Sequence, residues 1–486
     1  MTNPEAPRPL SLTAALIPIA SLILLVGLSF YLFGDEGASG PNQIALVVAT
    51  MIALLVARRA GHTLESLNEA AVASVSSGIG AIFILLAVGA LIGTWAMSGT
   101  LIAMVYYGLQ VLSPTYFYVT AALICALVSA GIGSSWTVVG TIGIGLMGIA
   151  QNMGLNPGIA AAAVISGAYF GDTTSPLSDS VNLASATAGT DLYGHVRETA
   201  LTSGLSLAIA LLVFSTMGSA GNFDAGEKLR AIESSIRISP LLFLPLVLVV
   251  GLAVMKFPPF TTIFIGALAG GVMAVAMAPE RVMAFAGGGD LPAVLQLLKG
   301  AWLALARGYE SSTGHAAIDV LATRGGMASM LGTVWLIITA LAFGGVVEKA
   351  GILDRLIRPV LQAAKSAGAL VTSLVAAVFT SNVVTADQYI AIVIPGRMFK
   401  KTFEERGFAP VVLSRAIGAS GTPTSALIPW NSCGAYMAAT LGVATFSYAP
   451  YAVFNFASPL IVILLACIGL RMPRSAKASR AGKDGA

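Results

Sequence analysis

Charge is scarce in this chain. Of its 486 residues only 10% are Asp, Glu, Lys or Arg, 56% are apolar, and the mean hydropathy is +0.86. A soluble domain carries about 25% charged residues, so a soluble fold of this length is excluded, and the same figures exclude disorder. Cysteine is nearly absent. Cys125, Cys433 and Cys467 are spaced for neither a disulfide framework nor a zinc site, and they read as small buried hydrophobes. The histidines His62, His195 and His315 are too scattered for a metal cluster. No Gly-x-x-x-x-Gly-Lys-Ser/Thr loop is present to bind ATP, and neither His-Glu-x-x-His nor a recognisable Ser/His pairing points to an intramembrane enzyme. The formal net charge of +4 is small. No cofactor and no nucleic-acid partner is expected.

What the chain has is length in apolar runs, at 12–33, 42–57, 72–97, 198–217, 238–256, 259–278, 327–347 and 449–470. Each bilayer crossing needs about 20 apolar residues. A transmembrane barrel would show alternating ten-residue segments instead. The first run is too long for a signal-peptide core and reads as a retained span. Four further runs are interrupted by polar or glycine-rich stretches: 115–150 at 129–135, 157–193 at 171–182, 367–398 at 380–388, and 411–443 at 421–431.

Basic residues orient such spans. The loops 348–366 and 397–410 and the tail 471–486 are rich in Lys and Arg, whereas 98–114 and 151–156 have none. Two like-signed flanks around one apolar run describe a hairpin that enters and returns. The run 367–398 would do so from inside, and 115–150 from outside. On this scheme 18 of the 26 basic residues lie inside and seven outside, with Arg415 at a membrane edge. The expected architecture is an all-α polytopic membrane protein with ten crossings, two re-entrant hairpins and both termini cytoplasmic. Residues 291–306 are a further membrane-embedded possibility.

The order of elements repeats. A tail (1–11) precedes a first repeat (12–217), a polar linker (218–237), a second repeat entering from the opposite side (238–470) and a basic tail (471–486). Each repeat holds five transmembrane helices plus one hairpin, with a discontinuous helix. Gly171-Asp-Thr-Thr-Ser-Pro-Leu177 echoes Gly421-Thr-Pro-Thr-Ser-Ala-Leu427, and Gly61-His62 before Gly80 echoes Gly314-His315 before Gly332. Inverted repeats with discontinuous helices characterise secondary transporters.

Irregular backbone at membrane depth is costly unless it is buried in protein or lines a wet cavity. Unwound carbonyls and Ser, Thr and Asn oxygens can replace the hydration shell of a small hard cation. The breaks supply Ser134, Ser135, Thr174, Ser175, Asn182, Asn382, Thr385, Thr424, Ser425 and Asn431, together with the carboxylates Asp172, Asp179 and Asp387. An intramembrane carboxylate is a functional hypothesis by default. Burial disfavours its charged form and a bound cation favours it, so it holds a proton or a metal ion, but not both well. That competition is a minimal mechanism for cation/proton exchange. Plainer readings exist: Asp172 and Asp179 as helix caps, Asp387 as a wet turn, and Asp191, His195, Arg197 and Glu198 as solvated interfacial charges. Glu310, His315 and Asp319 read as a surface or an outer mouth, and the tryptophans and glycine runs as packing.

At these residues the chain resembles the NhaC family of sodium/proton antiporters. The matching stretches are Gly-Ala-Leu-Ile-Gly-Thr-Trp (89–95), Gly-Asp-Thr-Thr-Ser-Pro-Leu-Ser-Asp (171–179) and Arg-Gly-Gly-Met-Ala-Ser-Met (324–330). Asp-Gln-Tyr-Ile-Ala-Ile-Val-Ile-Pro-Gly-Arg-Met-Phe (387–399) and the run 420–436 match as well. Thr173 departs from them, standing where Lys is expected in many relatives. The resemblance implies that Asp172, Ser175, Asp179 and Asp387 lie at or near the transport site, with Na⁺ at Asp172, Ser175 and Asp387. It further implies a bacterial inner-membrane exchanger serving pH homeostasis, with Na⁺ and H⁺ as substrates, Li⁺ as an alternative cation, the bilayer as partner and a homodimer as a compatible assembly. Because the family includes malate/lactate-type antiporters, a carboxylate substrate is the alternative.

Overall fold

The computed structural model describes residues 8–34, 37, 40–218, 225–235, 237–288, 291–312, 319 and 322–475. Among these the chain is helical, with only the isolated bridges Tyr309–Arg324 and Phe408–Arg474 in extended pairing. The expected tail 1–11, linker 218–237 and basic tail 471–486 fall partly outside these residues, as does His315.

Apolar runs become helices because a backbone removed from water must bond internally. The open ends are closed by side chains. Ser11 accepts from Ala14 N at 3.2 Å to start Leu12–Phe33, Thr63 from Ser66 N at 3.2 Å to start Leu64–Ser77, and Ser366 from Ala369 N at 3.1 Å to start Ala367–Thr385.

Among the described residues seven helices are long and apolar enough to cross a membrane, or eight if the pair Thr445–Tyr451 and Val453–Cys467, bent by 51°, is one span. Ten crossings were expected. Six of the ten are among the seven, the bent pair is another, and Ala367–Thr385 is a hairpin arm. Of the three others, 238–256 forms only the shorter helix Pro240–Val254, and 157–193 and 411–443 are spans interrupted near the middle, which leaves two pieces each too short to cross alone. The first interrupted span is Pro157–Thr174 followed by Asp179–Ala188, and the second is Pro410–Ser425 followed by Ser432–Leu441. Both breaks are narrower than the polar stretches implied, because helix persists through Thr174 and Ser425.

The two expected hairpins share one turn design. Phe117–Ile132 ends at Gly133, with φ +79°, and Ser134 then caps a helical stretch over 135–152 that includes a π-helical turn, Val139–Gly143. Ala367–Thr385 ends at Ala386, with φ +58°, and Asp387 caps Gln388–Glu405. A left-handed alanine is strained, and Ala386 O is tied down by Ser432 N at 2.9 Å. The arm Ala367–Thr385 has 19 residues and is long enough to cross by itself.

The order long helix, hairpin, interrupted helix, closing helix therefore occurs twice, in 79–217 and in 331–467. Ala293–Arg307, at 15 residues, is too short to span. After it the chain folds back onto Ile79–Ser98, where Gly326 N donates to Gly89 O at 2.6 Å. A Cβ on Gly93 would stand 2.2 Å from Ala304 O, so the Gly89–Gly93 face admits only hydrogen. Two of the family-like stretches, 89–95 and 324–330, thus meet.

Candidate functional site

Four chain interruptions converge on one cavity of about 580 Å³. Its wall takes Ser134, Trp136 and Thr137 from the first hairpin turn, Asp172 and Asp179 from the first interrupted helix, Asp387 and Gln388 from the second hairpin turn, and Ser432 and Cys433 from the second interrupted helix. The junction Ala253–Thr262 supplies its exposed rim, including Lys256, the one Lys or Arg among the lining residues.

Asp172 is the buried centre, 6% exposed. Its Oδ2 accepts from Ser135 Oγ at 2.5 Å, and its Oδ1 from Ser178 Oγ at 2.7 Å and Ser180 Oγ at 3.2 Å. Both serines also lie 2.8 Å from the Asp172 carbonyl oxygen and 2.9 Å from each other. Each hydroxyl owns a single proton and two lone pairs, so these contacts are alternatives. The hydroxyls can donate to the carboxylate, or turn their lone pairs toward a cation beside it. None of the ion pairs among the described residues involves Asp172, Asp179 or Asp387. A buried carboxylate without a fixed counter-ion is expensive, and a proton or a mobile cation relieves that cost.

Asp387 lines the same cavity as the cap of Gln388–Glu405, its Oδ1 accepting from Tyr389 N at 2.8 Å and Ile390 N at 2.9 Å. Asp179 is exposed on the cavity wall. It is the first residue of its helix, whose cap is Ser178.

The remaining expected residues separate into wall and support. Ser134 lines the cavity and accepts from Thr137 N and Oγ1. Ser175 accepts from Leu177 N at 3.3 Å and stabilises the break, Thr174 bonds back to Phe170 O at 2.6 Å, and Asn182 donates to Ser178 O at 2.8 Å. Ser175 is not among the lining residues, so the structure gives no support to it as a Na⁺ ligand. In the second half Asn382 donates to Gly421 O at 2.8 Å and Thr424 Oγ1 at 3.0 Å, and Asn431 donates to Asn382 O at 3.1 Å. Ser425 donates to Thr422 O at 2.6 Å, and Thr385 to Ser381 O at 2.9 Å. This network lies behind the cavity and satisfies itself, so the second break is held by neutral amides and hydroxyls while the first carries the charge. Thr173, where Lys was expected, bonds back to Tyr169 O at 3.0 Å.

Ser178 and Ser180 escaped the sequence reading although both stand in the first polar stretch. Only the turn at 175–178 aims them back at Asp172. Asp191 is exposed and caps Leu192–Met217, accepting from Gly194 N at 2.7 Å. Other interfacial readings are corrected. His195 is fully buried, with Nδ1 3.0 Å from Ser414 Oγ, so a Ser/His pair does exist, but neither residue lines the cavity. Arg415 is buried rather than interfacial, its charge met by Glu198 at 3.3 Å, which also binds Arg471 at 3.0 Å. Cys467 is exposed, unlike Cys125 and Cys433.

Long apolar helices, interrupted spans and a carboxylate-lined cavity at the interruptions define a multi-pass membrane transporter. The chain belongs to the Na⁺/H⁺ antiporter family, whose model matches residues 167–470. It is 36% identical to the Na⁺/H⁺ antiporter NhaC of Alkalihalophilus pseudofirmus, over 88% of this chain and 90% of that one. It is 33% identical to a malate-2H⁺/Na⁺-lactate antiporter of Bacillus subtilis, over 93% and 94% of the two chains. It is likewise 33% identical to the arginine/ornithine antiporter ArcD of Halobacterium salinarum, over 97% and 94%.

Proposed function

We propose that this protein exchanges Na⁺ for H⁺ across a bacterial inner membrane by alternating access. The observation that carries the proposal is Asp172, a buried carboxylate ringed by three serine hydroxyls with no fixed cation. Na⁺ and H⁺ compete for it, the hydroxyls reorienting to suit either, while Asp387 and Asp179 attract the cation into the cavity. On the charge-derived topology both termini are cytoplasmic and the cavity, rimmed by 253–262, opens inward. Li⁺ is a second cation the same oxygens suit.

The test is Na⁺-dependent collapse of a respiration-generated pH gradient in everted vesicles. Na⁺ alone should collapse it. Cavity size and Lys256 at the rim favour a second reading, a carboxylate travelling with the cation. Collapse only after malate or lactate is added would establish that reading and overturn the first.

The serine ring makes a separate prediction. A hydrogen bond to a charged group is worth about 1.5–3 kcal/mol. Ser135→Ala and Ser178→Ala should therefore each raise the Na⁺ concentration for half-maximal exchange about tenfold or more. Ser175→Ala should leave it within about threefold, because Ser175 only accepts a weak backbone bond within the turn. Equal effects at all three positions would remove the special standing of the ring.

A further inference from the structure

A second cavity, about 420 Å³, lies against the other interrupted helix. Part of its lining is made by the counterparts of residues that line the first. Ser77, Gly80, Ala81 and Ile84 line the first cavity, and Ser329, Gly332, Thr333 and Leu336, each 252 positions later, line the second. Asp179 lines the first, and Pro429, its partner in the register that aligns Gly171–Leu177 with Gly421–Leu427, lines the second. The junction Ala253–Thr262 rims the first, and Phe30, Gly34 and Asn42, at the junction of the first two helices, rim the second. Four consecutive-spaced matches in one register, joined by a second register and a third junction, are hard to obtain from unrelated surface grooves.

The two cavities share a wall. Cys433 looks into the first, while Ala435, Ala438, Ala439 and Gly442 of the same helix line the second. That spacing is one face of a helix, so the wall is one helix thick, about 10 Å. Between Pro429 in one cavity and Ser432 in the other stand Trp430, 8% exposed and donating to Val383 O at 2.7 Å, and the buried Asn431. The second cavity offers neutral oxygens, from Ser329, Thr333, Asn42 and Thr445, and no carboxylate among its lining residues. Asn42 Oδ1 is buried without a hydrogen-bond partner among the described residues. Such a lining suits a hydrated cation in passage rather than one held tightly.

We infer that the second cavity is the cation's vestibule on the opposite membrane face from the first, and that Ser432–Leu441, with Trp430 and Asn431 at its head, is the barrier between them. This rests on the cation-exchange reading. Repeats that swap conformations would deepen one cavity toward Asp172 as the other closes, and the barrier must hold in both states for exchange to stay coupled.

The test uses the full chain in right-side-out and everted vesicles with a membrane-impermeant thiosulfonate, modified peptides being identified by mass spectrometry. Ser77→Cys, at an exposed position on its wall, reports the first cavity and Thr333→Cys the second, with Ala438→Cys as the alternative if Thr333→Cys is not inserted. The two thiols should react from opposite faces, whichever way the protein is oriented. Trp430→Ala should pass Na⁺ down its gradient with at least a fivefold loss of coupled H⁺ movement. Reaction of both reporters from one face, or strict coupling in Trp430→Ala, would overturn the inference. Thiol sidedness needs no turnover, so a native protein that fails the pH-gradient assay defeats the exchange reading without deciding this one.

Discussion

Asp172→Asn should leave less than about 1% of native Na⁺/H⁺ exchange in everted vesicles, with the protein still inserted and at least as thermally stable as the native form. Asn keeps the shape and can still accept from Ser135 or from Ser178 and Ser180 through one oxygen. It cannot carry a negative charge, so neither ion is held electrostatically. Removing one member of a buried charge pair costs about 3–5 kcal/mol, and each 1.36 kcal/mol is tenfold, so the loss should be roughly 100-fold or more. Asp387→Asn should cost less, because Asn remains a good helix cap while the charge near the cavity is lost. Asp179→Asn should cost least, since Asp179 is exposed. Exchange above a tenth of native in Asp172→Asn, or a reversed ranking, would remove Asp172 from the centre of the site.

Gly171→Ala should abolish exchange while leaving every carboxylate in place. A Cβ on Gly171 would stand 2.1 Å from the Ser129 carbonyl carbon and 2.3 Å from Ala130 N. These are backbone atoms and cannot swing aside. The seam between the first hairpin and the first interrupted helix is also fixed by Ser129 Oγ donating to Ala168 O at 2.5 Å. Forcing the two apart moves Ser135 away from Asp172. Overpacking of this kind costs about 1–3 kcal/mol, to be read as a lowered unfolding midpoint in detergent together with lost exchange. Gly131→Ala and Gly204→Ala, where a Cβ meets nothing within 4 Å, serve as controls and should be neutral or slightly stabilising. A fully active Gly171→Ala would show that the close approach of these backbones is not needed to hold the site.

The two predictions divide along what could be read beforehand. Asp172 was legible because an aspartate in an otherwise apolar stretch stands out against a composition with little charge. The breaks at 175–178 and 426–431 were legible for the same reason, though the polar stretches overstated their width. Gly171 stood in the sequence only as the first residue of the interrupted stretch. Its importance lies in which backbone passes so close that an added Cβ would overlap it, and that is a property of the neighbouring hairpin. Ser178 and Ser180 look like helix-start serines in sequence, whereas Ser175 and Thr174 look like ligands, and the bonds they make are to their own turn and helix.

Hydropathy, charge placement and the interruption of apolar runs determined by themselves that this chain is an all-helical membrane transporter with discontinuous helices. Those signals are local: an apolar residue costs free energy in water and a polar one costs it in lipid, wherever the rest of the chain goes. Tertiary structure alone decided that Asp172, Asp179 and Asp387 face one cavity, that Asn382 and Asn431 stand behind its wall, and that His195 and Arg415 are buried. Hydrogen bonds reach only about 3 Å and are directional. Which oxygen meets which hydroxyl is fixed only when helices distant in sequence have packed.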